Sequence, residues 1–400
     1  MDAKDLKKSV VFVMMSGGVD SSVAAFLLQK QGYKVIGCFI RGYNVDGCQE
    51  KESEDARRVV EYLNIPFYVV DLENEYKKLV VDYTVRSYKE GITPNPDVMC
   101  NKEIKFGLFF KKAIELGADY VATGHYVRLG FRDIFRGTGR LLAPAARSGL
   151  GSRLIRPAYG GDQAELASET FRSKTPEKLA SFYLREAKDK NKDQSYFLWT
   201  LKQNQLKRCL FPIGDYEKPV VRKIAKKAGL PTAEKKDSQG ICFLGKVPME
   251  VFLKKFISPK KGKIVNLEGK KIGEHQGVYF YTIGQRHGLG IAGKRPFYVA
   301  EKDAVNNVIK VAQGSDDQNL FKKEAYLKAV NWISGEVPKE KMEVLARVRY
   351  RQPLSPASLY KLKADSYKLI FDSSQKFVAP GQSAVLYNKK GEMLGGGIIS

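Results

Sequence analysis

The sequence predicts an α/β protein: an N-terminal parallel-sheet domain followed by a β-rich C-terminal region. Three observations carry this. Apolar stretches before residue 130 alternate between strand and helix periods, a glycine pair closes the first strand, and Gly-punctuated stretches rich in Tyr, Ile and Val recur from about residue 260. Strands alternating with helices require crossovers, which build a parallel sheet covered on both faces.

Residues 10–15, VVFVMM, read as a buried strand, and after Ser16-Gly17-Gly18 a helix begins with Val23, Phe26, Leu27 and Lys30 that Gly32 can close. Residues 33–40 form the next strand. Ala56, Val59, Val60 and Leu63 fall at i, i+3, i+4 and i+7 and mark a second helix, with a third strand over 66–70. A helix over about 104–116 leads into ADYVATGHY, a short strand running into a glycine. In such sheets ligands sit beyond the C-terminal ends of the strands, where Ser16, Ile40 and Gly124 lie. From Gly130 to about Thr175 Gly, Ala, Ser and Arg follow no period, which predicts a flexible insertion. Order returns at KNKDQSYFLWTL, and Val221, Ile224, Ala225 and Ala228 define a helix stopped by Gly229 with Pro231 beyond. Past DSQGICFLG, short strands separated by turns predict a β-barrel or sandwich.

At 400 residues the chain has room for two or three domains. Its 68 Lys and Arg against 44 Asp and Glu give a formal charge of +24, favouring a polyanionic partner, nucleic acid above all. The N-terminus MDAKDLKKSVVFVMM has neither the pattern of a secretory signal nor that of a transit peptide, and no apolar stretch reaches membrane-spanning length. The expectation is a cytoplasmic protein, without membrane contact, whose cysteines are reduced. Those five cysteines, Cys38, Cys48, Cys100, Cys209 and Cys242, include no C-x-x-C pair, and the histidines are His125, His275 and His287. Neither a zinc framework nor an iron–sulfur cluster is supported, and no metal-ligand set is predicted.

Four stretches carry chemistry. A strand ending in Ser-Gly-Gly can aim backbone N–H groups at an anion, and the helix that follows adds its positive N-terminal end. Yet the pattern G-x-x-x-x-G-K-[ST] is missing, and no lysine in the stretch is placed to reach a terminal phosphate. In GITPNPDVMCNKEIKFG two prolines fix a turn that presents Asn95, Asp97 and Cys100 at the mouth of a helix starting near Lys102. A thiol near that helix end and near Lys102 and Lys105 should be more acidic than usual, and the polar setting predicts an accessible one. KKDSQGICF places Cys242 in a second electropositive loop, so the two cysteines suggest a redox or sulfur-transfer pair. In LARVRYRQ, Arg347, Arg349 and Arg351 alternate with Ala346, Val348 and Tyr350; continued as a strand, this predicts a basic ridge.

SGGVDSS resembles the PP-loop of the ATP-pyrophosphatase superfamily, which splits ATP between its α and β phosphates to adenylate a substrate oxygen. With TPNPDVMCNKEIKFG, ATGHY, NKDQSYFLW, FPIGDYEKPVVRKIAKKAGLP, DSQGICF, TIGQRHGLGI, RVRYRQ and GQSAVLY in order, nearly the whole chain resembles the bacterial tRNA-specific 2-thiouridylases, the MnmA family. The resemblance implies an adenine nucleotide alpha hydrolase-like PP-loop domain over 1–242, with 130–175 as its insertion, a small central domain over 243–305 and a tRNA-contacting β-barrel over 306–400. It implies that Met14, Met15, Ser16, Gly17, Gly18, Val19, Asp20 and Ser21, with Ile40 and Gly124, hold ATP, and that Mg²⁺ lies near Asp20. Asn95, Pro96 and Asp97 would face the target base, Asp97 as general acid or base. Cys242 would carry a persulfide received from a cysteine desulfurase or sulfur-relay protein. Cys100 would be its partner nucleophile, ending in a transient Cys100–Cys242 disulfide. Lys192, Asp193, Gln194, Arg349 and Tyr350 would touch tRNA, and the base to be modified, the wobble uridine of the tRNAs for Lys, Glu and Gln, would be flipped out.

Two other readings stay open at this stage. A 2-thiocytidine enzyme of the same superfamily would need clustered C-x-x-C cysteines, and a 4-thiouridine enzyme a different RNA-binding module. A non-catalytic RNA-binding protein would have degraded cysteines or a broken loop, whereas both are intact here. The stretch between Gly130 and the KDQ segment is where the sequence departs from the family pattern.

Overall fold

The computed structural model of the chain describes residues 9–45, 47–133, 180–237, 247–338, 340–363 and 366–400. Cys242 and most of the 130–175 stretch lie outside the described residues.

Strand β1 (Val10–Met14) is the middle of a five-stranded parallel sheet. It pairs with β2 (Lys34–Arg41) on one side and β4 (Tyr120–Ala122) on the other; β3 (Phe67–Asp71) and β7 (Cys209–Leu210) form the edges. Successive side chains of a strand point to opposite faces, so β1 feeds two cores. Phe12 and Met14 pack with Cys38, Val80 and Ile104, whereas Val11, Val13 and Met15 pack with Val23, Val59 and Val221. The strand order β3-β2-β1-β4-β7 reverses direction between β1 and β4. The segments leaving these two strands therefore lie side by side, at the switch point where such sheets bind ligands.

Two expectations are corrected here. The pattern does not dissolve at Gly130: β5 (Val127–Asp133) pairs antiparallel with β6 (Ala180–Glu186), and Gly130 packs under Tyr183, whose ring lies 2.3 Å from where a Cβ would stand. The helix expected near Lys102 begins earlier, at Pro96, because Asn95 caps it. It continues as a π-wound stretch over Cys100–Phe109 and ends with Phe110–Glu115.

A four-stranded sheet follows, in the order β10-β11-β8-β9, built from β8 (Gly262–Val265), β9 (Lys271–His275), β10 (Phe297–Asp303) and β11 (Val308–Gln313). The boundary expected at 305/306 falls in the turn between β10 and β11, which pair antiparallel within this sheet. The chain ends in a closed barrel of six strands, β12 (Phe321–Trp332), β13 (Lys341–Arg347), β14 (Ser355–Lys361), β15 (Tyr367–Lys376), β16 (Ser383–Tyr387) and β17 (Met393–Ile399). Among the described residues no helix is long and apolar enough to cross a membrane.

Candidate active site

After β1 the chain turns at Gly17, whose φ of +66° and close approach to the Glu52 carbonyl leave no room for a side chain. The helix Val19–Lys30 then starts from Gly18, and no side chain caps its first turn. Its leading N–H groups, without intrahelical acceptors, face the outlet of the sheet with the positive end of the helix behind them. Ser21 braces the turn: its hydroxyl accepts from the Ser16 N–H at 3.1 Å and donates to the Gly18 carbonyl at 3.2 Å. From the neighbouring strand, Gly124 lies flat on this backbone. A Cβ there would stand 2.7 Å from the Ser21 nitrogen. Met14, Met15 and Val19 are buried beneath the turn, Ser16 is exposed, and Ile40 sits half-buried at the end of β2. The result is a backbone cradle with the polarity of a phosphate site.

A lysine from a distant segment reaches the loop. Lys218, the first residue of the helix Lys218–Lys227, places Nζ 2.7 and 2.8 Å from the two carboxylate oxygens of Asp20. Tyr126 donates its hydroxyl to the same carboxylate at 2.8 Å. Nζ of Lys218 also lies 2.8 Å from Asp237, which Lys192 and Arg222 each reach at 2.6 Å. Burial pushes the Asp237 carboxyl up, but the hydrogen bonds and charges of Lys192 and Lys218 outweigh it and hold the group at about 2. On the other side of the loop, Lys235 donates to the Gly17 carbonyl at 3.0 Å and pairs with Asp55 at 2.5 Å.

This network bears on the metal expected near Asp20. Both oxygens of that carboxylate are taken by an ammonium group, and among the described residues no cluster of three or more His, Cys, Asp or Glu could hold an ion. Asp20 would have to release the Lys218 ammonium or the Tyr126 hydroxyl to become a magnesium ligand.

The second motif is a capped helix. The Asn95 side chain accepts the Val98 N–H at 3.2 Å, and Pro96 takes a first-turn position where its missing N–H is no loss. This winding turns Cys100 inward, to 3% exposure, against the expectation of an accessible thiol. Lys102, expected to tune that thiol, instead pairs with Glu103 at 2.8 Å. Asp97 is half-buried one turn before Cys100. The barrel buttresses this turn: Gln382 donates to the carbonyls of Thr93 at 3.0 Å and Pro94 at 2.9 Å. Thr93 in turn donates its N–H to the Pro380 carbonyl at 3.1 Å. Of the other described cysteines, burial pushes the Cys38 thiol up to about 12 and raises Cys209 as well, which suits inert core residues.

The third motif, Lys192-Asp193-Gln194, is held from within the chain. Lys192 pairs with Asp237. Gln194 accepts the Tyr126 N–H at 2.9 Å and donates its own to the Tyr126 carbonyl at 2.8 Å. Asp193, 2% exposed, accepts the Ala187 N–H at 2.9 Å and the Ser195 hydroxyl at 2.9 Å, and meets Arg347 at 3.1 Å. Arg347 itself is 3% exposed, and it also reaches Glu186 at 2.6 Å and the Tyr387 hydroxyl at 3.1 Å. Burial opposes its charge, but Tyr387, Asp193 and Glu186 together raise its pKa, so the guanidinium stays protonated. The predicted basic ridge is thus corrected. Strand β13 ends at Arg347 and the chain turns, so the alternation stops where the ridge was to begin. Arg349 lies half-buried over the ring of Phe377 at 5.3 Å, and Tyr350 packs on Phe197 with ring centroids 4.6 Å apart.

The structure therefore joins Ser16–Ser21, Gly124 and the KDQ segment through Tyr126, Lys218 and Asp237. It sets Asn95–Cys100 against the barrel, and leaves Arg349 and Tyr350 at the barrel's rim. Lys218, Asp237 and Arg347 were missed as parts of these assemblies. The signal for Lys218 was faint: a lysine just before a proline at a helix start, in EKPVVRK.

A family model described as the tRNA methyl transferase HUP domain matches residues 9–146 and 156–246. The tRNA methyl transferase PRC-barrel domain matches 250–313, and the aminomethyltransferase β-barrel domain 322–399, spans that coincide with the central sheet and the barrel. Only 147–155 of the expected insertion is left unmatched. Among relatives, the tRNA-specific 2-thiouridylase MnmA of Tolumonas auensis is 43% identical, over 97% of this chain and 96% of that protein. The protein of the same name from Nitrosomonas eutropha is 41% identical over 99% of both, and that of Escherichia coli 42% identical over 97% of this chain and 96% of that protein. With all three regions matched and relatives this similar along nearly their whole length, the chain belongs to the tRNA-specific 2-thiouridylase family.

Proposed function

We propose that this protein is a tRNA-uridine 2-sulfurtransferase that uses ATP to replace the C2 oxygen of the wobble uridine in the tRNAs for Lys, Glu and Gln with sulfur. The observation that carries the reading is the uncapped first turn behind Gly17 and Gly18, pressed by Gly124 at the switch point of the sheet. It suits a nucleotide phosphate and belongs to a chain whose relatives are named for this activity.

The uracil carbonyl oxygen is a poor leaving group. Bound at the loop, ATP would adenylate it with release of pyrophosphate, so that the oxygen can leave as AMP. Asn95, Pro96 and Asp97 would orient the flipped base, Asp97 moving a proton at the ring. The terminal sulfur of a Cys242 persulfide, supplied by a cysteine desulfurase or relay protein, would attack C2 and expel AMP. The Cys100 thiolate would then attack the Cys242 sulfur, breaking the S–S bond, leaving one sulfur on the base and forming a Cys100–Cys242 disulfide. A thiol reductant would supply the two electrons that restore both cysteines. A magnesium ion accompanying ATP would neutralise charge on its phosphates.

The test is thiolation of these tRNAs with ATP, cysteine and a desulfurase, read together with AMP release. Product is expected from the unmodified chain, none from Cys100→Ser, and AMP without thiolated product from Cys242→Ser. Full thiolation by the Cys242 variant would refute the persulfide assignment, and no product despite normal ATP binding would remove the activity. Asp97→Ala should slow the reaction far more than it weakens tRNA binding.

A further inference from the structure

We infer that Lys218 is the lysine the phosphate loop lacks: a residue that binds the β- and γ-phosphates of ATP while shielding them from Asp20. The inference rests on the nucleotide reading of the loop.

Asp20 occupies the first turn of the helix at whose N-terminus a phosphate would sit, so its carboxylate competes for the same positive end and repels the ligand. Something must neutralise it. Lys218 Nζ faces both Asp20 oxygens, at 2.7 and 2.8 Å, with its side chain 10% exposed. Its placement is built rather than incidental: its N–H donates to Asp189 at 3.0 Å, and its ammonium lies 5.8 Å from the centre of the Tyr126 ring.

Asp237 does not depend on Lys218 alone, since Lys192 and Arg222 also reach it at 2.6 Å. The ammonium can therefore leave Asp237 and remain beside Asp20 while donating to a phosphate oxygen, a swing that a flexible four-carbon stem permits. The benefit grows in the reaction, since cleavage between the α and β phosphates puts new charge on the departing pyrophosphate and little on the adenylate.

The two roles separate by ligand. A residue that only holds the fold would affect ATP and AMP alike, whereas one aimed at the outer phosphates would discriminate between them. Titration calorimetry on the full chain should show Lys218→Met weakening ATP tenfold or more and AMP less than twofold. Equal weakening of both nucleotides, or no change in either, overturns the inference. If the unmodified chain fails to bind ATP, the underlying reading of the loop fails instead. Should the Met variant not fold, Lys218→Arg keeps a cation beside both carboxylates: a threefold or larger fall in the ATP-to-AMP affinity ratio supports the role, and an unchanged ratio overturns it.

Discussion

Around Gly17 and Gly18 the chain offers backbone, uncapped amides from one contiguous stretch, with room made by glycines where side chains would intrude. Around Arg347 it offers the opposite: charged and hydroxyl side chains of Glu186, Asp193, Ser195 and Tyr387, drawn from distant segments of the chain, with Asp193, Ser195 and Tyr387 buried. The first region is prepared to receive charge from outside, and the second has satisfied its charge internally. A buried ion pair adds little stability relative to an apolar replacement, but losing one member leaves the other uncompensated. The two regions should therefore fail differently, the loop in ligand affinity and the seam in stability.

Arg347→Met tests the seam most severely. It strands Asp193, whose side chain is 1% exposed, and should lower unfolding stability by roughly 3–5 kcal/mol, read from urea denaturation. A loss below about 1 kcal/mol would mean that apolar packing, not charge, joins the barrel to the KDQ segment.

A pair of glycine substitutions sharpens the contrast. Gly124→Ala would set a Cβ 2.7 Å from the Ser21 nitrogen, displacing the cradle. ATP affinity should fall about tenfold, equivalent to roughly 1.4 kcal/mol, with tRNA affinity nearly unchanged. Gly381→Ala, at φ +89° and 2.3 Å from a methyl of Ile92, should instead push the Thr93–Pro94 turn and slow turnover while ATP affinity stays within about twofold. If the Gly381 variant also weakened ATP, the buttress and the cradle would be one mechanical unit.

The comparison also explains what could be read from the sequence. Alternating periods marked β1 to β4 and the helices that follow β1 and β2, because each local pattern agrees with its burial, whereas the helical run over residues 73–89 after β3 went unread. The phosphate loop was legible for the same reason, since its chemistry lies in Ser16–Ser21. The inward turn of Cys100 was not, because it depends on Asn95 capping a helix one turn earlier and on Gln382 of the barrel. The Arg347 ridge misled because alternation assumes that the strand continues, and β13 stops at that residue. Lys218 and Asp237 are ordinary lysine and aspartate in the sequence, and only the fold brings them to Asp20.

His125 follows directly after Gly124 of the cradle, its ring tilted against Phe106 with centroids 6.1 Å apart and edge-on to Phe211 at 6.5 Å. One ring nitrogen lies 2.7 Å from the Thr123 hydroxyl. Burial, with Lys105 adding to it, holds His125 well below its usual range, so it stays neutral in the fold. An unfolded chain would take up a proton there at about pH 6.5, and acid therefore favours unfolding. This group's contribution is fully present above that pH and is lost as pH falls through it, at up to about 1.4 kcal/mol per pH unit. His275, also lowered by burial, acts in the same direction. Asp237, held at about 2, loses its contribution only below about pH 4 and does not intrude on the window. Denaturation midpoints at pH 7.5 and 5.5 should differ clearly in the unmodified chain and less in His125→Gln. Equal differences would mean that His125 accepts its proton without unfolding, and the pocket behind Gly124 would then be open to water.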